Sequence, residues 1–168
     1  MAEPLCGAPV TGLAQVGYQG HTLTSLLAEL AAAGVSRLVD VRLNAVSRKP
    51  GFSKTALREA LTDVGIVYSH WPELGNPKAN RAGFGGTAAE VDAARAAYAG
   101  LLTRPAAMHS VDRLVEAARA QTVALLCFEA DVERCHRLVL LHTAWMRAQP
   151  PGGPHLLTGS GRDLNCRD

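Results

Sequence analysis

At 168 residues, with 48% hydrophobic and 19% charged positions, the chain has an ordinary globular composition and enough length for one domain with a substantial core. A formal net charge of +2 excludes binding to nucleic acid by bulk charge alone and leaves room for a local basic face. The four cysteines form no CxxC pair, and two lie near the ends, which fits a secreted disulfide framework poorly.

Residues 1–16 carry neither a basic n-region nor an apolar h-region, and no apolar run reaches membrane-spanning length. The expectation is a reduced, soluble, cytoplasmic protein with no membrane partner. Residues 1–12 are rich in Pro, Gly and small side chains and read as a flexible N-terminal arm. Residues 13–158 read as a single α/β domain and 159–168 as a C-terminal tail.

Within the domain, residues 13–18 predict a first strand. Thr22 or Thr24 caps a helix whose leucines 23, 26, 27 and 30 share one face, and Gly34 stops it. A strand over 37–41 follows, bringing Asp40 and Arg42 to its carboxyl end. Strand, helix and strand in this order predict parallel pairing with a right-handed crossover. A basic loop over 42–52 contains Arg48 and Lys49, and Ser53 opens a helix that Gly65 ends.

Residues 66–70 alternate and predict a third strand. The stretch 71–86, WPELGNPKANRAGFGG, holds too many Pro, Gly and Asn for a regular element and reads as a mobile active-site loop. Helices are expected over 88–102 and 110–120. The run Val123–Phe128 is apolar throughout, as in a strand buried on both faces. Glu129 interrupts it, and Asp131 caps a helix whose first turns carry Cys135, His136 and Arg137. Pro150–Pro154 predicts a turn and His155–Leu157 a short last strand.

The ordered motifs VGYQG, LVDVR, SRKPGFSK, WPELG and CFEADVERCHR resemble those of the bacterial and archaeal family called domain of unknown function 488. The resemblance runs over roughly residues 14–157. It implies a compact α/β domain with its charged motif residues gathered at one sheet edge. It implies no agreed reaction, cofactor or substrate. Asn76 follows Leu74-Gly75 where another small residue, typically Gly, is expected, so the local loop conformation is open.

The fold expected is a three-layer, Rossmann-like α/β sandwich with a mainly parallel sheet and its site at the strand carboxyl ends. Strand alternation puts Asp40 and Arg42 on one face, either as an ion pair ordering the loop or as part of a ligand site. Arg48 and Lys49 beside a helix start suit an anion, or form a solvated basic loop. Glu129 at the end of a buried strand suits general acid–base work, or bonds neighbouring amides.

For Cys135 the burial habit of cysteine favours packing over nucleophilic attack, because adjacent helical residues diverge and Cys135 would not face His136. His136 and Arg137 are placed towards a ligand. Metal binding by Cys127, Cys135, His136 and His142 is the weaker reading, since the Cys spacing matches no zinc knuckle; no metal ligand is assigned. Tyr18, Tyr68, His70 and Trp71 follow strands and suit either stacking on a ring or rim packing, and His109 and His155 read as structural or surface.

The expected site therefore has Glu129 and His136 as catalytic residues, with Tyr18, Asp40, Arg42, Arg48 and Arg137 binding a phosphorylated or nucleotide-like substrate. The other two function classes are a nucleic-acid-binding module and a non-catalytic partner-binding scaffold. No cofactor is named, because neither GxGxxG nor GxxxxGK[ST] occurs.

Overall fold

The computed structural model describes residues 12–149. The expected turn at 150–154, the short strand at 155–157, and most of the N-terminal arm and C-terminal tail lie outside the described residues.

Four parallel strands, β1 (Leu13–Gly17), β2 (Arg37–Asp40), β3 (Val67–His70) and β4 (Val123–Cys127), form one sheet in the order β1-β4-β2-β3. Chain order runs β1 to β2 to β3 outward, then returns to insert β4 between the first two. β4 is buried at every position, which explains its unbroken apolar sequence.

Helices α1 (Leu23–Ala32) and α2 (Lys54–Asp63) cover one face, where Leu26, Leu30, Leu57 and Leu61 pack on Val16, Leu38, Ala124 and Leu126. Helices α3 (Lys78–Phe84), α4 (Ala88–Leu102), α5 (Pro105–Ala120) and α6 (Arg137–Ala148) contribute to the other core, against Val39, Val123, Leu125 and Cys127. The direction of travel along the sheet reverses before β4, and right-handed crossovers then require the opposite face. The connection after β4 therefore leaves on a different side from those after β1 and β2. Such a switch opens a crevice at the carboxyl ends of these three strands.

Local chemistry sets most boundaries. Thr22, rather than Thr24, caps α1: its Oγ1 accepts from the Ser25 amide at 3.1 Å, and the Ser25 hydroxyl accepts from the Thr22 amide at 3.0 Å. α5 begins five residues earlier than the expected Ser110, because Pro105 fits the first helical turn without losing a needed N–H.

Two expectations are corrected. The stretch 71–86 is not an irregular loop but a 3-10 turn, Pro72–Leu74, followed by α3. Gly83 serves packing: a Cβ there would stand 2.8 Å from the Ala94 Cβ, so only glycine lets α3 lie this close to α4. The helix expected from Asp131 is also absent as such. Asp131 caps only a 3-10 turn, Val132–Arg134, through the Glu133 amide at 2.9 Å, and α6 starts at Arg137. Cys135 lies between them with extended backbone, φ −139° and ψ 146°.

Gly17 ends β1 where a Cβ would overlap the Glu129 main chain. Gly17→Ala should therefore destabilise the protein by about 2–3 kcal/mol through overpacking, read as a lower urea midpoint. Gly100→Ala, in α4 with open space around it, should be neutral or stabilise by up to about 1 kcal/mol.

Candidate active site

The crevice is a cavity of about 250 Å³ at the carboxyl ends of β1, β4 and β2. Tyr18 enters it after β1, Arg42 to Asn44 after β2, and Cys127 to Glu129 after β4. Arg81 and Phe84 of α3 form one wall, and Arg134, Cys135 and His136 come from the turn before α6.

One side is a locked network. Asp40 is fully buried, and its Oδ1 accepts from the Arg42 amide at 3.1 Å and from Arg42 Nε at 2.8 Å. Its Oδ2 accepts from Arg42 Nη2 at 2.5 Å and from the Tyr68 hydroxyl at 2.7 Å. Arg42 Nη1 donates to the Tyr18 hydroxyl at 3.2 Å and to the Phe52 carbonyl at 2.9 Å. Four of the five guanidinium N–H groups are thereby used inside the fold.

Burial works against the Arg42 charge, but the hydrogen bonds and charge of Asp40, aided by Tyr18, outweigh it and raise the pKa above the usual arginine range. Burial, with the negative charge of Asp40, likewise raises Tyr68. Tyr18 stacks on Phe52 at 4.7 Å and meets Phe128 edge-on at 5.3 Å. Lys49 Nζ donates to the Tyr18 carbonyl at 3.1 Å. His70 Nε2 donates to the Arg42 carbonyl at 2.9 Å.

The floor is different in kind. Cys127 and Cys135 are both buried free thiols. A Glu129 carboxylate oxygen lies 3.2 Å from Cys127 Sγ and 3.4 Å from Cys135 Sγ. His136 Nε2 lies 3.2 Å from the Val41 carbonyl. A carbonyl only accepts, so Nε2 donates here and Nδ1 is the ring nitrogen that faces the two sulfurs. That Nδ1 lies 3.7 Å from Cys135 Sγ and 3.9 Å from Cys127 Sγ.

Arg137 is fully buried; its Nε lies 3.3 Å from Cys135 Sγ, and its Nη2 donates to the Glu129 carbonyl. Its Nη1 has no hydrogen-bond partner among the described residues. The hydrogen bond from Cys127 lowers the Cys135 pKa, burial opposes this, and His136 and Arg137 lower it further. The same hydrogen bond, with burial and the charge of Glu129, pushes Cys127 well above the usual thiol range. One proton is thus held on Cys127 while Cys135 takes thiolate character. Cys127 Sγ, Cys135 Sγ and a His136 ring nitrogen lie within 4.8 Å of one another, which makes this trio the group able to hold a soft metal ion among the described residues.

The structure brings Tyr18, Arg42, Glu129 and His136 to the cavity. Asp40 lies behind Arg42, and Arg137 lies beneath the floor. Arg48 is exposed and forms no part of the cavity wall. His136 and Cys135, expected to diverge on a helix, do approach each other, because Cys135 is extended and the helix begins two residues later. Trp71 is buried under the Arg113 guanidinium at 4.7 Å, and His109 and His142 are exposed. Arg81 and Arg134 were not singled out by sequence reasoning. Both are exposed cations on the rim, bonded to the carbonyls of Asn76 at 3.0 Å and Gly86 at 2.6 Å. Arg81 was hidden in the stretch read as loop, and Arg134 adjoins the Cys-His-Arg motif without belonging to it.

Apart from Tyr18, these residues lie within the region that identifies the chain. A family model described as Domain of unknown function DUF488 matches residues 22–144. The chain belongs to this family. No curated protein and no solved structure matches it. Membership in the DUF488 family brings no reaction with it. No helix among the described residues is long and apolar enough to cross a membrane.

Asp40→Asn leaves Arg42 buried without its counter-charge and should cost about 3–5 kcal/mol of stability by denaturant titration. Tyr68 keeps its proton in the folded state beyond its ordinary pKa of 10.0, so the stability it contributes is present below pH 10 and is lost as pH rises further. Tyr68→Phe should flatten that alkaline fall when urea midpoints are compared across pH.

Proposed function

We propose that this DUF488 protein is an enzyme that binds a compact phosphorylated or nucleotide-like anion in the cavity and uses Glu129 for proton transfer. The observation that carries the reading is the composition of this cavity, in which Arg42, Arg81 and Arg134 surround a floor of Cys127, Glu129, Cys135 and His136. Arg81 and Arg134 retain donors towards solvent, and guanidinium geometry suits phosphate and carboxylate oxygens. They take the anion-binding role expected of Arg48 and Arg137. Arg42 helps position Tyr18 and the loop after β2.

Phe128 is 46% exposed and Val46 76% exposed, and both line the cavity, offering apolar surface for a planar ring. His136 acts through the thiols it faces, since its other nitrogen is held by Val41. Two free neighbouring thiols suit a reducing compartment such as the cytoplasm. A cavity of this size accommodates one small ligand or one residue of a larger one, so a nucleic-acid partner would present a single nucleotide here.

Isothermal titration with inorganic phosphate and with nucleoside monophosphates tests the reading. Arg81→Ala and Arg134→Ala should each weaken binding by about tenfold or more, the loss of a charge-assisted hydrogen bond, with little change in urea midpoint. Binding should weaken as salt rises. Arg48→Ala should leave affinity unchanged. Equal affinity in wild type and both rim variants would contradict an anion site on this rim.

A further inference from the structure

We propose that Cys127, Cys135 and His136 bind a zinc ion at the cavity floor through two sulfurs and Nδ1, leaving a fourth position open to the cavity beside Glu129. Sequence spacing alone argues against a metal, because seven residues separate the cysteines and no zinc-knuckle turn joins them. The fold supplies what spacing does not. Cys127 ends β4, Cys135 returns on extended backbone after the 3-10 turn, and His136 begins the entry into α6.

The distances suit tetrahedral coordination. With Zn–S near 2.3 Å and Zn–N near 2.0–2.1 Å, neighbouring sulfur and nitrogen donors stand about 3.5–3.6 Å apart. His136 Nδ1 lies 3.7 Å from one sulfur and 3.9 Å from the other. Both N–S distances thus match within a few tenths of an ångström, and all three donors lie within 4.8 Å of one another. The imidazole is already oriented: Nε2–H is held by the Val41 carbonyl at 3.2 Å, and Nδ1 faces the two sulfurs. Fixing one ring nitrogen by a carbonyl is how metal-bound histidines are commonly held.

Charge points the same way. The two sulfurs and the Glu129 carboxylate crowd soft and anionic donors into a site where the adjacent buried cation is Arg137, whose Nη1 is without a partner among the described residues. A divalent ion bound there displaces the thiol protons and balances the two thiolates that coordinate it. Sulfur and imidazole donors favour zinc over magnesium or calcium. Two Cys and one His are also the protein ligands of one class of catalytic zinc, whose fourth position is taken by water or substrate. Each of the three, and Glu129, lines the cavity.

The proposal stands independently of the anion-binding rim. The full chain, stripped with chelator under reducing conditions, is titrated with zinc chloride and passed through gel filtration before metal analysis. One zinc per chain is expected, and cobalt(II) in its place should give the sulfur-to-metal charge-transfer and visible bands of a tetrahedral thiolate site. Cys127→Ser and Cys135→Ser should each bind zinc at least about a hundredfold more weakly. Glu129→Gln should keep zinc within tenfold, and the Cys6→Ser/Cys166→Ser double variant should bind it unchanged.

Wild type without retained zinc and without the cobalt bands overturns the proposal, even if either cysteine variant fails to fold. Loss of zinc in the Cys6→Ser/Cys166→Ser variant overturns it as well. Loss in Glu129→Gln overturns the open fourth position. Peptide mapping that finds a Cys127–Cys135 disulfide in place of bound zinc identifies the pair as a redox couple and overturns the metal site. Zinc retained without phosphate binding contradicts the rim alone, and phosphate bound without zinc contradicts the metal site alone.

Discussion

The buried pairing of Asp40 with Arg42 holds the carboxyl edge of the sheet together. The two residues leave the same strand, yet their side chains reach β1 through Tyr18, β3 through Tyr68 and the following loop through the Phe52 carbonyl. A buried ion pair adds little net stability over an apolar replacement of the same shape, because desolvating two charges costs about as much as their attraction returns. What this one supplies is position. Every donor that Arg42 gives to Asp40, Tyr18 and Phe52 fixes one wall of the cavity, and removal of one partner leaves the other stranded.

Arg137 plays the corresponding part on the opposite side. Its guanidinium joins the Glu129 carbonyl to the Cys135 sulfur and so ties the end of β4 to the start of α6. Gly17 permits that approach, since any side chain there would displace the Glu129 main chain. The reversal of strand order opens the crevice, and the two buried arginines set its shape. Between them stand groups with chemistry to offer: two thiols, an imidazole with Nδ1 inward, and a carboxylate within 3.4 Å of both sulfurs. Structural and chemical duties are thus divided among residues that the sequence presents as one motif.

Much of the sheet was legible because its signals are local. β4 reads as buried on both faces from its unbroken apolar run, and α1 announces itself by four leucines on one face and a threonine cap. The parallel pairing follows from helices alternating with strands. The 71–86 stretch was misread because Gly83 looks like a loop residue when its use is close helix packing, which no window of sequence reveals. The start of α6 was misplaced because Asp131 is a good cap in either setting, and it caps a short 3-10 turn instead. That displacement of a few residues decides the site. It turns Cys135 towards Cys127 and His136, which a continuous helix would not do. The roles of the arginines were hidden for a similar reason: a guanidinium spent on backbone carbonyls and one open to a ligand look alike in sequence.

The central claim is that the buried arginines build the cavity while the thiol, imidazole and carboxylate groups act within it. It is tested most directly by diffraction at the zinc edge from crystals grown with zinc and phosphate. The account requires a single anomalous peak between the two sulfurs and His136 Nδ1, with phosphate, where present, against Arg81 and Arg134. Arg42 and Arg137 should keep the partners they have here. Phosphate seated on Arg42 and Arg137, with the Cys127 and Cys135 sulfurs free of metal, would contradict it.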